Sequence, residues 1–158
     1  MNGLLTGEHK HKIDSQGRMI LPATFRDAIG ERIVITKGLD NCLWVRSAED
    51  MDLWIKNTLS KLPEIAGRSV IRYFVGSMAA CEIDDNGRFV VPQELREYAK
   101  ISNDVPVMVV GQLNKIELWN KVLLNEYNEK ISNTVASILE NAERGTTIPE
   151  GAEIYELC

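Results

Sequence analysis

One stretch of this 158-residue chain is written twice, and that repetition limits the possible folds more than any bulk property does. Ile13-Asp-Ser-Gln-Gly-Arg-Met-Ile-Leu-Pro-Ala-Thr-Phe-Arg26 returns as Ile83-Asp-Asp-Asn-Gly-Arg-Phe-Val-Val-Pro-Gln-Glu-Leu-Arg96. Ile, Asp, Gly, Arg, Pro and a second Arg recur in step, and most of the remaining central positions exchange one apolar residue for another. Each copy continues into an apolar run ending in glycine (Ile33 to Gly38; Val107 to Gly111) and then reaches a Leu-Trp pair (Leu43, Trp44; Leu118, Trp119). The repeating unit is therefore about forty residues long.

Turn chemistry sets its local structure. In Asp-x-x-Gly the carboxylate of Asp14 or Asp84 caps amides a few residues on, and Gly17 or Gly87 supplies a positive φ that other residues avoid. Between two short apolar-rich segments this predicts a β-hairpin. Arg18 to Leu21 and Arg88 to Val91 are rich in strand formers, and Pro22 and Pro92 suit the first position of a short helix. Phe25 and Ile29, with Leu95 and Ala99 in the second copy, recur at i, i+4 and should face the core. Gly30 is placed to close the first helix.

Two further helices lie outside the repeats. Ser47-Ala-Glu-Asp50 has the spacing of a capping box with Asp in place of Glu, and Met51, Trp54, Ile55, Leu59 and Leu62 continue a helical stripe to about Pro63. The segment from Glu64 to Val75 reads as a helical connector, with Arg68 and Arg72 as interface or intrachain salt-bridge residues. Leu124, Tyr127, Ile131, Val135, Ile138 and Ala142 describe an amphipathic helix that stops at Gly145. The domain reading is a first repeat over 5–54, a connector over 55–78, a second repeat over 79–123, a C-terminal helix over 124–145 and a loose acidic tail over 146–158. A forty-residue unit buries too little to stand alone and leaves sheet edges unpaired. The expected fold is thus α+β with a mainly β core: two ββαββ-like repeats forming one barrel within the chain, with flanking helices.

The net charge of −5 and the pI near 5.1 argue at first against a nucleic-acid partner. The distribution reverses that. From Glu126 onward there are seven Glu against only Lys130 and Arg144, so this segment carries the whole excess and residues 1 to 125 are balanced. No apolar run is long enough to span a membrane, and MNGLLTGEHKHK has no apolar signal core, so a cytoplasmic location is expected. Cys42, Cys81 and Cys158 show no C-x-x-C spacing and read as reduced thiols. Ser, Cys and His form no nucleophile-base constellation, and no phosphate loop or dinucleotide fingerprint occurs. Neither catalysis, a cofactor nor a small-molecule substrate is expected. His9 and His11 fall on one face of a strand, but without a third ligand they read as phosphate-facing or solvated rather than as a metal site. Trp44, Trp54 and Trp119 fall on apolar faces and read as core.

The two Asp-x-x-x-Arg motifs, Asp14 to Arg18 and Asp84 to Arg88, each followed by a proline-initiated helix, resemble the MraZ family over about residues 1 to 145. Gly111-Gln-Leu-Asn-Lys-Ile-Glu-Leu-Trp119 resembles the second repeat of that family. Each half is similar to the DNA-binding unit of AbrB and SpoVT, which implies a swapped-hairpin β-barrel. The resemblance further implies a nucleoid-associated transcriptional regulator, usually a repressor, that binds direct repeats in the promoter of the division and cell-wall gene cluster as a ring-like homo-oligomer on double-stranded DNA. The motif arginines Arg18 and Arg88 are then the DNA-contacting candidates, with Lys10, Lys12, Gln16 and Arg26 beside them and Asp14, Gly17, Asp84 and Gly87 shaping the turns.

The residue chemistry is compatible with that role, because arginine is always charged and its planar fork suits phosphate or guanine O6 and N7. Arg26 and Arg96 are expected on the exposed side of their helices. Lys10 and Lys12 of the first copy correspond to Ala80 and Glu82 of the second, so the first repeat is expected to dominate affinity. The competing reading is a structural or protein-interaction ring scaffold that acts through the C-terminal helix and the acidic tail.

Overall fold

In the computed structural model, which describes residues 4–145, both copies fold through the same series of elements. The first gives β1 (Glu8–His11), β2 (Arg18–Ile20), α1 (Ala23–Ile29), β3 (Arg32–Lys37) and β4 (Leu43–Ser47). Two connecting helices follow, α2 (Ala48–Asn57) and α3 (Glu64–Val75). The second copy gives β5 (Ala79–Glu82), β6 (Arg88–Val90), α4 (Gln93–Ala99), β7 (Val107–Gln112) and β8 (Lys115–Asn120), and α5 (Lys121–Glu143) comes last. The architecture is α+β. The chain divides into two compact units, one up to Lys121 and one from Val122 onward.

In the first unit the strands pair chiefly between copies. One sheet has the order β1-β7-β8-β4-β3-β5, and β2 and β6 form a separate two-stranded ribbon. Thus β1 of the first copy lies against β7 of the second, with Glu8 opposite Val110, and β5 of the second lies against β3 of the first, with Arg32 opposite Glu82. The central β4–β8 pair joins the two halves, Leu43 facing Leu118. The hairpin expected within each copy forms only at its turn. Asp14 N–H donates to Arg18 O at 3.0 Å, but the strands on either side take partners from the other copy.

The closed barrel expected from the sequence is not found among the described residues: the large sheet ends at β1 and β5, and the ribbon stands apart from it. The physical reason lies in the chain between β1 and β2 and between β5 and β6. There the backbone turns through the Asp-x-x-Gly loop before β2 and β6, and these are too short, at three residues each, to bridge back to the sheet edges. Pro22 and Pro92, which lack an N–H, stop the ribbon from extending at its other end.

One core serves both copies. Met19, Leu21, Phe25 and Ile29 from the first meet Phe89, Val91, Leu95 and Ala99 from the second, all essentially buried. The i, i+4 pairs of α1 and α4 face inward as their spacing predicts. Each of these side chains except Ala99 contributes about 1.5–3 kcal/mol on burial. Gly30 closes α1 at φ +85°, its N–H bonded to Arg26 O. At the matching position of α4, Lys100 takes the left-handed conformation at φ 54°.

Ser47 caps α2 by accepting from Asp50 N–H at 3.0 Å. The helix ends at Asn57, earlier than its apolar stripe suggests, and a short 3-10 turn over Leu59–Lys61 follows. The α-helix breaks at Thr58 (φ −123°, ψ −63°), and Pro63 then ends the short turn by forcing Leu62 into an extended conformation (ψ 148°). Trp44, Trp54 and Phe74 pack as a satellite cluster with ring centroids 5.2–6.0 Å apart, and Arg46 lies 4.1 Å over Trp54. Neither Arg68 nor Arg72 forms an ion pair among the described residues.

In the second unit, α5 runs to Glu143, and Gly145 follows at φ +72° with its N–H on Ala142 O. No helix among the described residues is long and apolar enough to cross a membrane. The acidic tail at 146–158, and Cys158 with it, lie outside the described residues.

Candidate nucleic-acid interface

The two motif turns have the same backbone construction. In the first, one oxygen of Asp14 accepts from the N–H groups of Gln16 and Arg18, each at 2.9 Å. In the second, Asp84 accepts from Asn86 and Arg88, again at 2.9 Å each. Gly17 and Gly87 sit at φ +84° and +79°, as a turn of this kind requires. Each glycine also reaches across to the other copy: Leu21 N–H donates to Gly87 O at 2.9 Å, and Val91 N–H to Gly17 O at 2.8 Å. These bonds tie each turn to the far end of the opposite ribbon strand.

The side chains differ. Arg18 donates from Nε to the second oxygen of Asp14 at 2.8 Å, and both groups are about half exposed. An exposed pair of this kind adds little to stability, so its main effect is to orient the guanidinium. A guanidinium has five N–H donors; the Nε–H is used, and the terminal nitrogens stay available. The Asp14 carboxyl is held below its ordinary pKa by the Arg18 amide first and by the Arg18 guanidinium second. The Arg88 guanidinium makes no ion pair among the described residues.

Strand alternation places both arginines on one surface. Arg18 and Ile20 of β2, and Arg88 and Val90 of β6, are exposed, while Met19 and Phe89 between them are buried. The register sets Arg18 opposite Val90 and Ile20 opposite Arg88. The outer face of the ribbon is consequently a square of four side chains, with arginines on one diagonal and aliphatic residues on the other. His11, Lys12, Ile13 and Asp14 line a groove together with Arg18, Met19, Ile20 and Arg88. Arg88 thus joins the charged residues of the first copy instead of forming a second site with Glu82. Partial burial, then the neighbouring His9, lowers the His11 pKa, so at neutral pH the cations of this groove are Lys12, Arg18 and Arg88. His9 packs edge-on against Phe25, with ring centroids 5.1 Å apart.

The other residues expected from the sequence fall in different places. Lys10 and Gln16 are exposed, Lys10 on β1 and Gln16 at the tip of the first turn. Arg26, expected on the exposed side of its helix, is half-buried: a Cβ at Gly87 would lie 2.5 Å from its guanidinium. Arg96 holds the matching place over Gly17 and donates from Nε to Val91 O at 2.9 Å. The reason is the inter-copy strand pairing, which brings each short helix over the turn of the other copy and leaves an arginine at that position covering a glycine. Ile20 and Val90 were not singled out from the sequence. The signal was present, because a period of two puts Ile20 on the same side as Arg18.

Comparison with known proteins agrees with the duplicated architecture. The family model for the MraZ protein, described as antitoxin-like, matches residues 4–64 and 74–146. A protein named transcriptional regulator MraZ from Caldanaerobacter subterraneus subsp. tengcongensis is 40% identical over 144 residues, covering 89% of this chain and 97% of its own length. Proteins of the same name from Thermoanaerobacter sp. (strain X514) and Caldicellulosiruptor bescii are both 42% identical, over 145 and 133 residues, covering 89% and 82% of this chain and 95% and 91% of their own lengths. Their names are those of regulators and not of enzymes. With both repeats matched and this level of identity along nearly the whole length of its relatives, the chain belongs to the MraZ family.

Proposed function

We propose that the chain is a DNA-binding transcriptional regulator that grips duplex DNA through the β2–β6 ribbon. The observation that carries this is the outer face of the ribbon: two arginines, one from each copy, converge with Lys12 on a single exposed surface. A two-stranded ribbon fits the major groove, and arginine forks suit both phosphate and guanine. The acidic balance of the whole chain does not oppose this, because its excess negative charge is confined to the segment from Glu126 onward.

In this reading the inter-copy pairing of β1, β2, β5 and β6 corresponds to the hairpin exchange of AbrB-like DNA-binding units, made here within one chain. The working form is a ring-like homo-oligomer in the cytoplasm, associated with the nucleoid. Its targets are direct repeats in the promoter of the division and cell-wall gene cluster, and its effect is repression. Several ribbons on one ring then act together through effective concentration, so a weak single contact suffices.

The test is binding to the upstream DNA of the protein's own gene, with tandem and single repeats compared across a salt series. Steep salt dependence and tighter binding to tandem sites are expected. Equal affinity for scrambled DNA overturns the reading. Sedimentation of the same samples reports the assembly.

A further inference from the structure

The two aliphatic residues on the ribbon are not explained by the core. Ile20 is 41% exposed and Val90 49%, whereas their strand neighbours Met19 and Phe89 are each 2% exposed. Both stand between arginines: Ile20 is two residues from Arg18 and opposite Arg88, and Val90 is two residues from Arg88 and opposite Arg18. Cross-strand neighbours lie about 4.5–5.5 Å apart, so one ligand surface that meets the arginines must also meet the aliphatic side chains. A surface of phosphates alone fits poorly, because it gives apolar side chains nothing to contact. The major groove offers both chemistries within a base step or two, with guanine O6 and N7 as acceptors and the thymine 5-methyl as an apolar projection. The minor groove has no methyl group. A second copy of this chain docked face to face would bring like-charged arginines together, which disfavours it as the occupant.

We infer that Ile20 and Val90 contact thymine 5-methyl groups in the major groove, so that the ribbon selects duplexes in which thymine stands beside the guanines its arginines hold. This rests on the ribbon reading proposed above and adds the base chemistry that it selects.

The experiment starts from a duplex selected out of a random-sequence pool by the full-length wild-type protein. Each thymine is then replaced in turn by deoxyuridine, which deletes only the methyl group, and binding is followed by fluorescence anisotropy. Loss of about fourfold is expected at each contacted methyl. In Ile20→Ala and Val90→Ala proteins that sensitivity should shrink at one thymine each, as coupling between contacting groups requires. Wild-type affinity for every deoxyuridine duplex, with Arg18→Ala still impaired, overturns the inference and leaves the ribbon reading standing. Wild-type binding by both Arg18→Ala and Arg88→Ala overturns the ribbon reading itself. If Ile20→Ala changes the sedimenting mass while uridine sensitivity stays as in the wild type, the patch joins copies of the chain, and the inference fails.

Discussion

The turn from Asp14 to Arg18 and the turn from Asp84 to Arg88 share a backbone and differ in charge. Both aspartates cap the same two amides, and both glycines take the same positive φ. Yet Arg18 is oriented by an ion pair and has His11 and Lys12 beside it, while Arg88 is unpaired among the described residues and follows Cys81 and Glu82 in sequence. Duplication kept the scaffold, whose hydrogen bonds need those residues, and let the surface around it diverge. Two half-sites of unequal charge therefore need not act separately. The ribbon brings Arg88 into the groove of the first copy, so the molecule has one lopsided surface rather than a strong site and a weak one.

The largest expected effects test the shared scaffold. A Cβ at Gly17 would lie 2.7 Å from the backbone oxygen of Val91, which cannot swing aside, whereas one at Gly87 meets the movable Arg26 side chain. Gly17→Ala should therefore cost about 3 kcal/mol and Gly87→Ala about 1–2 kcal/mol. Thermal melts check this at roughly 2–4 °C per kcal/mol; equal losses would mean that Arg26 is as immovable as backbone.

Next come the arginines. Arg18→Ala should weaken binding to the upstream DNA about ten- to hundredfold, the range for one bidentate base contact. Arg88→Ala should weaken it less, since no ion pair orients that side chain. A reversed order, read by anisotropy at fixed salt, would place the dominant contact in the second copy.

A smaller gain is expected from Glu82→Lys, which gives the second copy the charge of Lys12. Affinity should rise a few fold and the slope of log K against log salt should steepen by about one if the new cation meets a phosphate. An unchanged slope would show that the Glu82 end of β5 faces away from DNA.

The smallest effect concerns acid. Because the Asp14 pKa is depressed in the folded state, its contribution to stability is complete above the ordinary carboxylate pKa and is lost as pH falls through the lowered value. Urea melts at pH 5 and at pH 3 should therefore show a slightly larger acid-induced loss for wild type than for Asp14→Asn. Equal losses would mean that the carboxylate gains nothing from its turn.

Much of this molecule was legible because the governing contacts span four residues or fewer. The aspartate caps, the positive-φ glycines, the Ser47 cap, the glycine that closes α1 and the inward faces of α1 and α4 all follow from side-chain chemistry at short sequence separation. The repeat itself required only comparison of the chain with its own sequence. The end of α2 was less clear, since an apolar stripe continues past the point where the backbone leaves the helix.

What the sequence alone determined, then, was that two like units exist, how each turn is built and which residues face inward. Residue chemistry left the choice of strand partner open, and the tertiary structure decided it. A strand such as Arg18–Ile20 presents the same hydrogen-bonding groups to a partner in its own copy as to β6 in the other, and nothing local distinguishes the two. Burial of a core shared by both copies accompanies the inter-copy pairing. That pairing in turn set Arg18 and Arg88 on one face, laid Arg26 across Gly87 and left Ile20 and Val90 exposed between the two arginines.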